Sequence, residues 1–182
     1  GLGDEEGLRY TWSEAVRARL PWLGLNLLIA SLSAFVVWVF SDTIENAVIL
    51  AAIMPIVAGL GGNAGTQSLA VTVRRIALDR GGVRGGEHVA RELLVGLVNG
   101  AALGLLVAVL AVALGGDAML GLVVLLAMWG NLVVAGFLGS FVPTVMDRLG
   151  LDPAVSSSIF VTPLTDLCGF LFLLGLGTAL LL

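Results

Sequence analysis

An all-α integral membrane protein with five transmembrane helices per chain is predicted by three features of the sequence. The first is composition: of 182 residues, 58% are hydrophobic and only 12% charged, against about 25% charged in an average soluble domain. So little polar surface cannot cover a core in water, and lipid must cover the rest. The second is a set of five apolar runs, each long enough to cross a hydrocarbon layer of roughly 30 Å, which takes about 20 helical residues. The third is the placement of arginine, which separates the loops into two classes.

The first run covers about Pro21 to Phe40, with Trp22 and Trp38 near its ends as interfacial anchors and Pro21 suited to a first helical turn. A second extends from about Ile44 to Ala77 and is broken midway by Pro55, Gly59, Gly61, Gly62 and Gly65. The others cover about Leu93 to Leu114, Met119 to Val145 and Ala154 to Leu182. All nine basic residues are Arg. Arg9, Arg17 and Arg19 precede the first run, Arg74, Arg75, Arg80, Arg84 and Arg91 surround the second connection, and Arg148 follows the fourth. The remaining loops hold Asp42, Glu45 and Asp117 and no Arg. Five spans with a cytoplasmic N-terminus and an external C-terminus put every Arg inside, as the positive-inside rule requires, and merging or splitting a span scrambles the pattern.

The remaining features set the limits of the chain. Its single cysteine, Cys168, permits no intrachain disulfide. Residues 1–20 are polar and precede the first apolar run, the wrong order for a secretory signal peptide. They read as a cytoplasmic linker, leaving 21–182 as the membrane domain. The start at Gly-Leu-Gly without Met reads as a fragment of something longer. The odd number of spans disfavours two equal inverted halves. DRGGVRGGE at 79–87 reads as a cytoplasmic loop in contact with lipid headgroups.

Within the spans one ionisable side chain stands out. Asp166 lies about 12 residues into the fifth run, roughly 18 Å from its start at ~1.5 Å per residue. A carboxylate near the bilayer midplane costs at least ~2.5–3.5 kcal/mol and is a functional-site candidate by default. Ser158, Thr162, Thr165, Asp166 and Gly169 share one helical face. Pro163 has no N–H to donate to the carbonyl of Ile159, which frees one more oxygen. Oxygen acceptors along one stripe suit the passage of a hydrated cation. In the second span, Asn63 and Gln67 share a face bordered by Gly59, Gly62 and Thr66. Glycine packing alone does not explain two amides in mid-membrane, so this face is a candidate pore lining.

Other motifs are set aside. GLGG lacks the GK[ST] ending of a phosphate loop. His88 falls in the loop without a second ligand, and Asn26, Asn99 and Asn131 stand alone as candidates for interhelical hydrogen bonds. Cys168 and Asp166 point about 160° apart on a helix, which disfavours an intramembrane enzyme. One carboxylate per chain is a single charge against a dication. A two-fold homodimer, the commonest closed oligomer, would bring two Asp166 together. Magnesium gives up its waters reluctantly, so paired carboxylates holding a still-hydrated ion suit it better than a tight cage.

The stretch MPIVAGLGGNAGTQSLAVTVRR, residues 54–75, resembles the second-span signature of the MgtE magnesium channel family. LGLDPAVSSSIFVTPLTD, residues 149–166, is similar to that family's fifth span and its entry. The likeness extends over essentially the whole chain, from EAVRARLPWL onward. It implies a homodimer in the cytoplasmic (inner) membrane with a pore on the two-fold axis, lined by the second and fifth spans. It implies Mg2+ as transported ion and pore ligand at paired Asp166, with Thr162 and Ser158 on the path and Asn63 and Gly62 in the second-span lining. Thr165 precedes Asp166 in the family's T/S-D pair. The family can carry Asn and Ala where this chain has Ser158 and Thr162. It also implies an N-terminal helical domain and CBS domains in the full-length protein, with Asp4–Arg19 as the linker helix. The rival expectation is a proton-coupled transporter of Mg2+, Mn2+ or Co2+ with Asp166 as proton carrier.

Overall fold

The computed structural model describes residues 11–78 and 85–182, and every element in them is helical. In chain order these are α1 (Trp12–Val39), α2 (Ser41–Asn46), α3 (Ile49–Leu78), α4 (Gly85–Ala113), α5 (Ala118–Arg148) and α6 (Pro153–Leu181). Five of the six are long and apolar enough to cross a membrane, and these match the five expected runs. The expected linker over residues 4–19 and the loop 79–87 fall partly outside the described residues.

Three boundaries differ from expectation. Helix α1 begins at Trp12, so Pro21 lies inside it rather than in its first turn. Its start is set instead by Glu14, whose carboxylate accepts from the Thr11 backbone N–H at 2.9 Å and from the Thr11 hydroxyl at 2.8 Å, in the manner of a capping box. The second run begins as the separate short α2, so its spanning helix starts at Ile49 and not Ile44. His88 lies in α4 and is buried, not in a loop. Hydropathy falls where charged residues begin, but backbone hydrogen bonding continues beyond that point, and the helices outrun the apolar runs.

The glycines expected to break the second span do not interrupt α3, which is continuous from Ile49 to Leu78. They are sites of close approach. Gly61 faces the amide of Asn131, and a Cβ on Gly65 would lie 2.7 Å from Val161. Small residues let helices approach closely where lipid gives no hydrophobic drive to associate.

Helix α5 is the centre of the bundle. It packs against α4, α6 and α3, while α1 rests on α6 at the periphery. Its buried Val123, Val124, Ala127, Met128 and Leu132 meet Leu50, Ile53 and Val57 of α3 and Leu173 and Leu174 of α6. The α4 contact uses Gly96, Gly100 and Gly104, one per helical turn, set against the α5 backbone at Leu132, Trp129 and Leu125. The Trp129 indole N–H donates to the Leu97 carbonyl at 3.0 Å across the same seam. Asp117 caps α5 by accepting from Leu120 N at 2.8 Å, and Asp152 caps α6 by accepting from Ala154 N at 2.9 Å, with Pro153 in the first turn.

The close α4–α5 seam predicts a sharp difference between glycines. A Cβ at Gly136 would sit 2.5 Å from the Glu92 carbonyl oxygen, whereas one at Gly24 meets nothing within 4 Å. Gly136→Ala should destabilise the purified protein by about 1–3 kcal/mol, the usual cost of overpacking. Gly24→Ala should leave thermal unfolding in detergent unchanged.

Candidate ion site

Asp166 is thirteen residues into α6, about 20 Å from its start at ~1.5 Å per residue, and Gly62 and Asn63 are at a matching depth in α3. The two helices meet there. A Cβ on Gly62 would lie 3.3 Å from Thr162 Cγ2, 3.8 Å from Asp166 Oδ1 and 3.9 Å from Thr165 Oγ1. Glycine at 62 thus lets the α3 backbone come against the carboxylate. Asp166 is half-buried, and its carboxylate has no hydrogen bond or ion pair with a described residue.

The polar stripe of α6 divides in the structure. Thr162 and Ser158 are exposed and lie one and two turns before Asp166, while Thr165 and Gly169 are buried. The Thr165 hydroxyl donates to the Thr162 carbonyl at 2.8 Å and the Ser158 hydroxyl to the Val155 carbonyl at 3.0 Å. Both retain oxygen lone pairs that can accept from water. On α3 the open face is Ala52, Pro55, Gly59, Asn63, Thr66 and Ala70. All of these are small or polar. The exposed face of α4 is instead built from Leu94, Val98, Leu105, Leu106 and Val109, the composition that lipid requires. Gln67, expected beside Asn63, lines a different cavity with Arg75 and His88.

Behind this face lies an interhelical hydrogen bond of the kind expected for Asn131. Asn131 of α5 is fully buried, and its Nδ2 donates to the Val57 carbonyl of α3 at 3.0 Å. It is wedged between glycines of both neighbouring helices: a Cβ on Gly169 would lie 2.7 Å from its Nδ2, and one on Gly61 would overlap the same atom. Asn131 was a candidate for interhelical bonding; the two glycines that receive it are far apart in the chain and give no local signal. Among the described residues no three His, Cys, Asp or Glu side chains gather into a metal site. A single chain therefore offers one carboxylate, hydroxyls and carbonyls, which suit a hydrated hard cation and not a dehydrated one.

Comparison with known proteins now bears on this arrangement. The MgtE family profile, described as a divalent cation transporter, matches residues 54–176, which take in both the α3 and the α6 parts of the site. The chain belongs to the MgtE family. It is 38% identical over 166 residues to the magnesium transporter MgtE of Enterococcus faecalis and 34% identical over 166 residues to that of Bacillus subtilis, covering 91% of this chain in each case. Against the magnesium transporter MgtE of Thermus thermophilus it is 31% identical over 169 residues. The match takes in 36–37% of the length of these relatives, whose remaining length lies outside it. MgtE proteins are transporters and not enzymes.

The wedge predicts a coupling that separate substitutions would not reveal. Asn131→Ala should cost about 1–2 kcal/mol for the lost interhelical bond. Gly61→Ala should destabilise the wild-type background, because its methyl meets the Asn131 amide. It should be nearly neutral in the Asn131→Ala background, where that methyl has room. A double-mutant cycle read by thermal unfolding checks this.

Proposed function

We propose that this chain is the ion-conducting part of a Mg2+ channel of the cytoplasmic membrane. In this reading two copies stand around a two-fold axis, and α3 and α6 of each line the pore. A hydrated Mg2+ is held between paired Asp166 carboxylates, with Thr162 and Ser158 along the path on α6 and Asn63 and Gly62 on α3. Thr165 precedes Asp166 and is buried behind it, its hydroxyl held by the Thr162 carbonyl. The N-terminus is cytoplasmic, and the full-length protein carries N-terminal and CBS domains before the pore.

The observation that carries this reading is the unpartnered carboxylate at mid-membrane depth, set in an open face of small and polar residues. Hydrocarbon does not tolerate such a face, since an unsatisfied polar group there costs several kcal/mol. Water or a second protein surface must meet it, and a two-fold axis supplies both. Two carboxylates neutralise one dication and accept from its coordinated waters without stripping them. The magnesium transport named for the relatives agrees with this ion.

The test is Mg2+ influx into liposomes containing the purified chain, with no pH gradient. Wild type should conduct, and Asp166→Ala should lose at least tenfold of the flux, about 1.4 kcal/mol or more in binding terms. Asp166→Asn, which keeps the shape and removes the charge, should lose as much. Undiminished flux in both variants would contradict the reading, as would wild-type flux that appears only with a proton gradient.

A further inference from the structure

A second polar region lies at the other face of α3. Arg74, Arg75, Arg91 and Arg148 gather at one end of the bundle. There α3 and α4 pack on different sides of α5 and hardly touch each other. The wedge between them is a cavity of about 410 Å³, within the range of about 300–1,000 Å³ typical of small-molecule sites.

Its wall carries both signs of charge. Arg75 of α3 and His88, Arg91 and Glu92 of α4 line it together. Glu92 is only 8% exposed, yet its carboxylate forms no hydrogen bond or ion pair with a described residue. The guanidinium groups of Arg75 and Arg91 form none either. Opposite charges thus share one cavity without neutralising each other. A buried carboxylate is strongly disfavoured unless something supplies a positive partner.

His88 feels the charge of Glu92 but forms no hydrogen bond or ion pair with it. The Thr72 hydroxyl donates to the Ser68 carbonyl at 2.8 Å, so in its 2.8 Å contact with His88 Nε2 the imidazole N–H is the donor. The ring pins α4 to α3 at the cavity edge. Glu92, one turn further along the same face, is left to open into the space.

We propose that this cavity binds the headgroup of a phospholipid carrying both a phosphate and a primary ammonium. The ammonium is held by Glu92 and the phosphate by Arg75 and Arg91. A purely anionic headgroup would match the arginines and repel Glu92. A bare dication would match Glu92 and face two guanidiniums. A zwitterionic headgroup answers both charges, and its primary amine has three N–H donors where a trimethylated one has none. Lipid is the source because the cleft opens sideways between the helices. Val71 and Val95, 52% and 45% exposed, flank the mouth with apolar surface along which an acyl chain lies. The proposal does not rest on the pore reading.

The test is competition for the purified chain among phosphatidylethanolamine, phosphatidylcholine and phosphatidylglycerol in equal-mixture nanodiscs, read by native mass spectrometry on release. Phosphatidylethanolamine should be retained about tenfold over the other two, the size of one charge-assisted hydrogen bond. Glu92→Gln should reduce it to the level of phosphatidylcholine, and Arg75→Gln with Arg91→Gln should lower all three. Soluble glycerophosphoethanolamine should displace none of them. Equal retention of the three lipids, a preference that survives Glu92→Gln, or displacement by the soluble headgroup would each overturn the proposal. So would a dimer that retains no lipid, since a second copy would then fill the cleft. Should Glu92→Gln fail to fold, the wild-type ranking decides alone.

Discussion

Three helices converge on one buried amide. Asn131 of α5 enters the gap where Gly61 of α3 and Gly169 of α6 have no side chain, and a methyl group on either would collide with it. Its Nδ2 is satisfied by the Val57 carbonyl, and its Oδ1 has no hydrogen-bond partner among the described residues in this enclosed position. In a membrane no solvent competes for such a group, so it must be enclosed by protein, and enclosure demands that three backbones approach closely. The residue after Gly61 is Gly62, which meets Thr162 and Asp166. The residue three positions before Gly169 is Asp166 itself. The depth and spacing of the carboxylate against α3 therefore depend on a packing arrangement one layer behind it.

This arrangement leaves the bundle with two kinds of outer surface. Helices α1 and α4 present Leu27, Leu28, Phe35, Leu105 and Val109, large apolar groups suited to hydrocarbon. Helices α3 and α6 present Gly59, Asn63, Thr66, Ser158 and Thr162 around Asp166. Lipid accepts the first surface and penalises the second. A single chain is thus covered by apolar groups on one side and open on the other, and this asymmetry is the basis for the proposal that a pair of chains conducts. The cavity between α3 and α4 lies beyond the edge of that open face and has a different chemistry, with charges of both signs near the arginine-rich end.

Much of this was legible in the order of residues. Five long apolar runs account for the five long helices, and a lone mid-span acid is what makes Asp166 the candidate. Other features needed tertiary contacts. The glycines of α3 looked like breaks because glycine weakens helices in water, whereas in an apolar surrounding the backbone bonds have no competitor and the helix continues. The expected stripe on α6 was too coarse, since a helical face says nothing about which edge a neighbour covers. Thr165 turned out covered and Thr162 open. His88 and Glu92 lie where charge interrupts hydropathy, so no apolar run reached them, yet both are buried in α4. The Gly96, Gly100 and Gly104 spacing carried no expectation of its own, because its meaning lies in the α5 backbone it receives.

The most direct measurement for the central claim is accessibility along the open face. In a Cys168→Ala background, Asn63→Cys or Thr162→Cys would be exposed in liposomes to a water-soluble, membrane-impermeant thiol reagent during Mg2+ influx. Leu105→Cys, on the apolar face of α4, would serve as the reference. If α3 and α6 line an aqueous ion path, both site cysteines are modified and flux is blocked, while the Leu105 position stays unmodified. Protection of Asn63→Cys and Thr162→Cys, with influx continuing, would mean that ions cross elsewhere and would contradict the account.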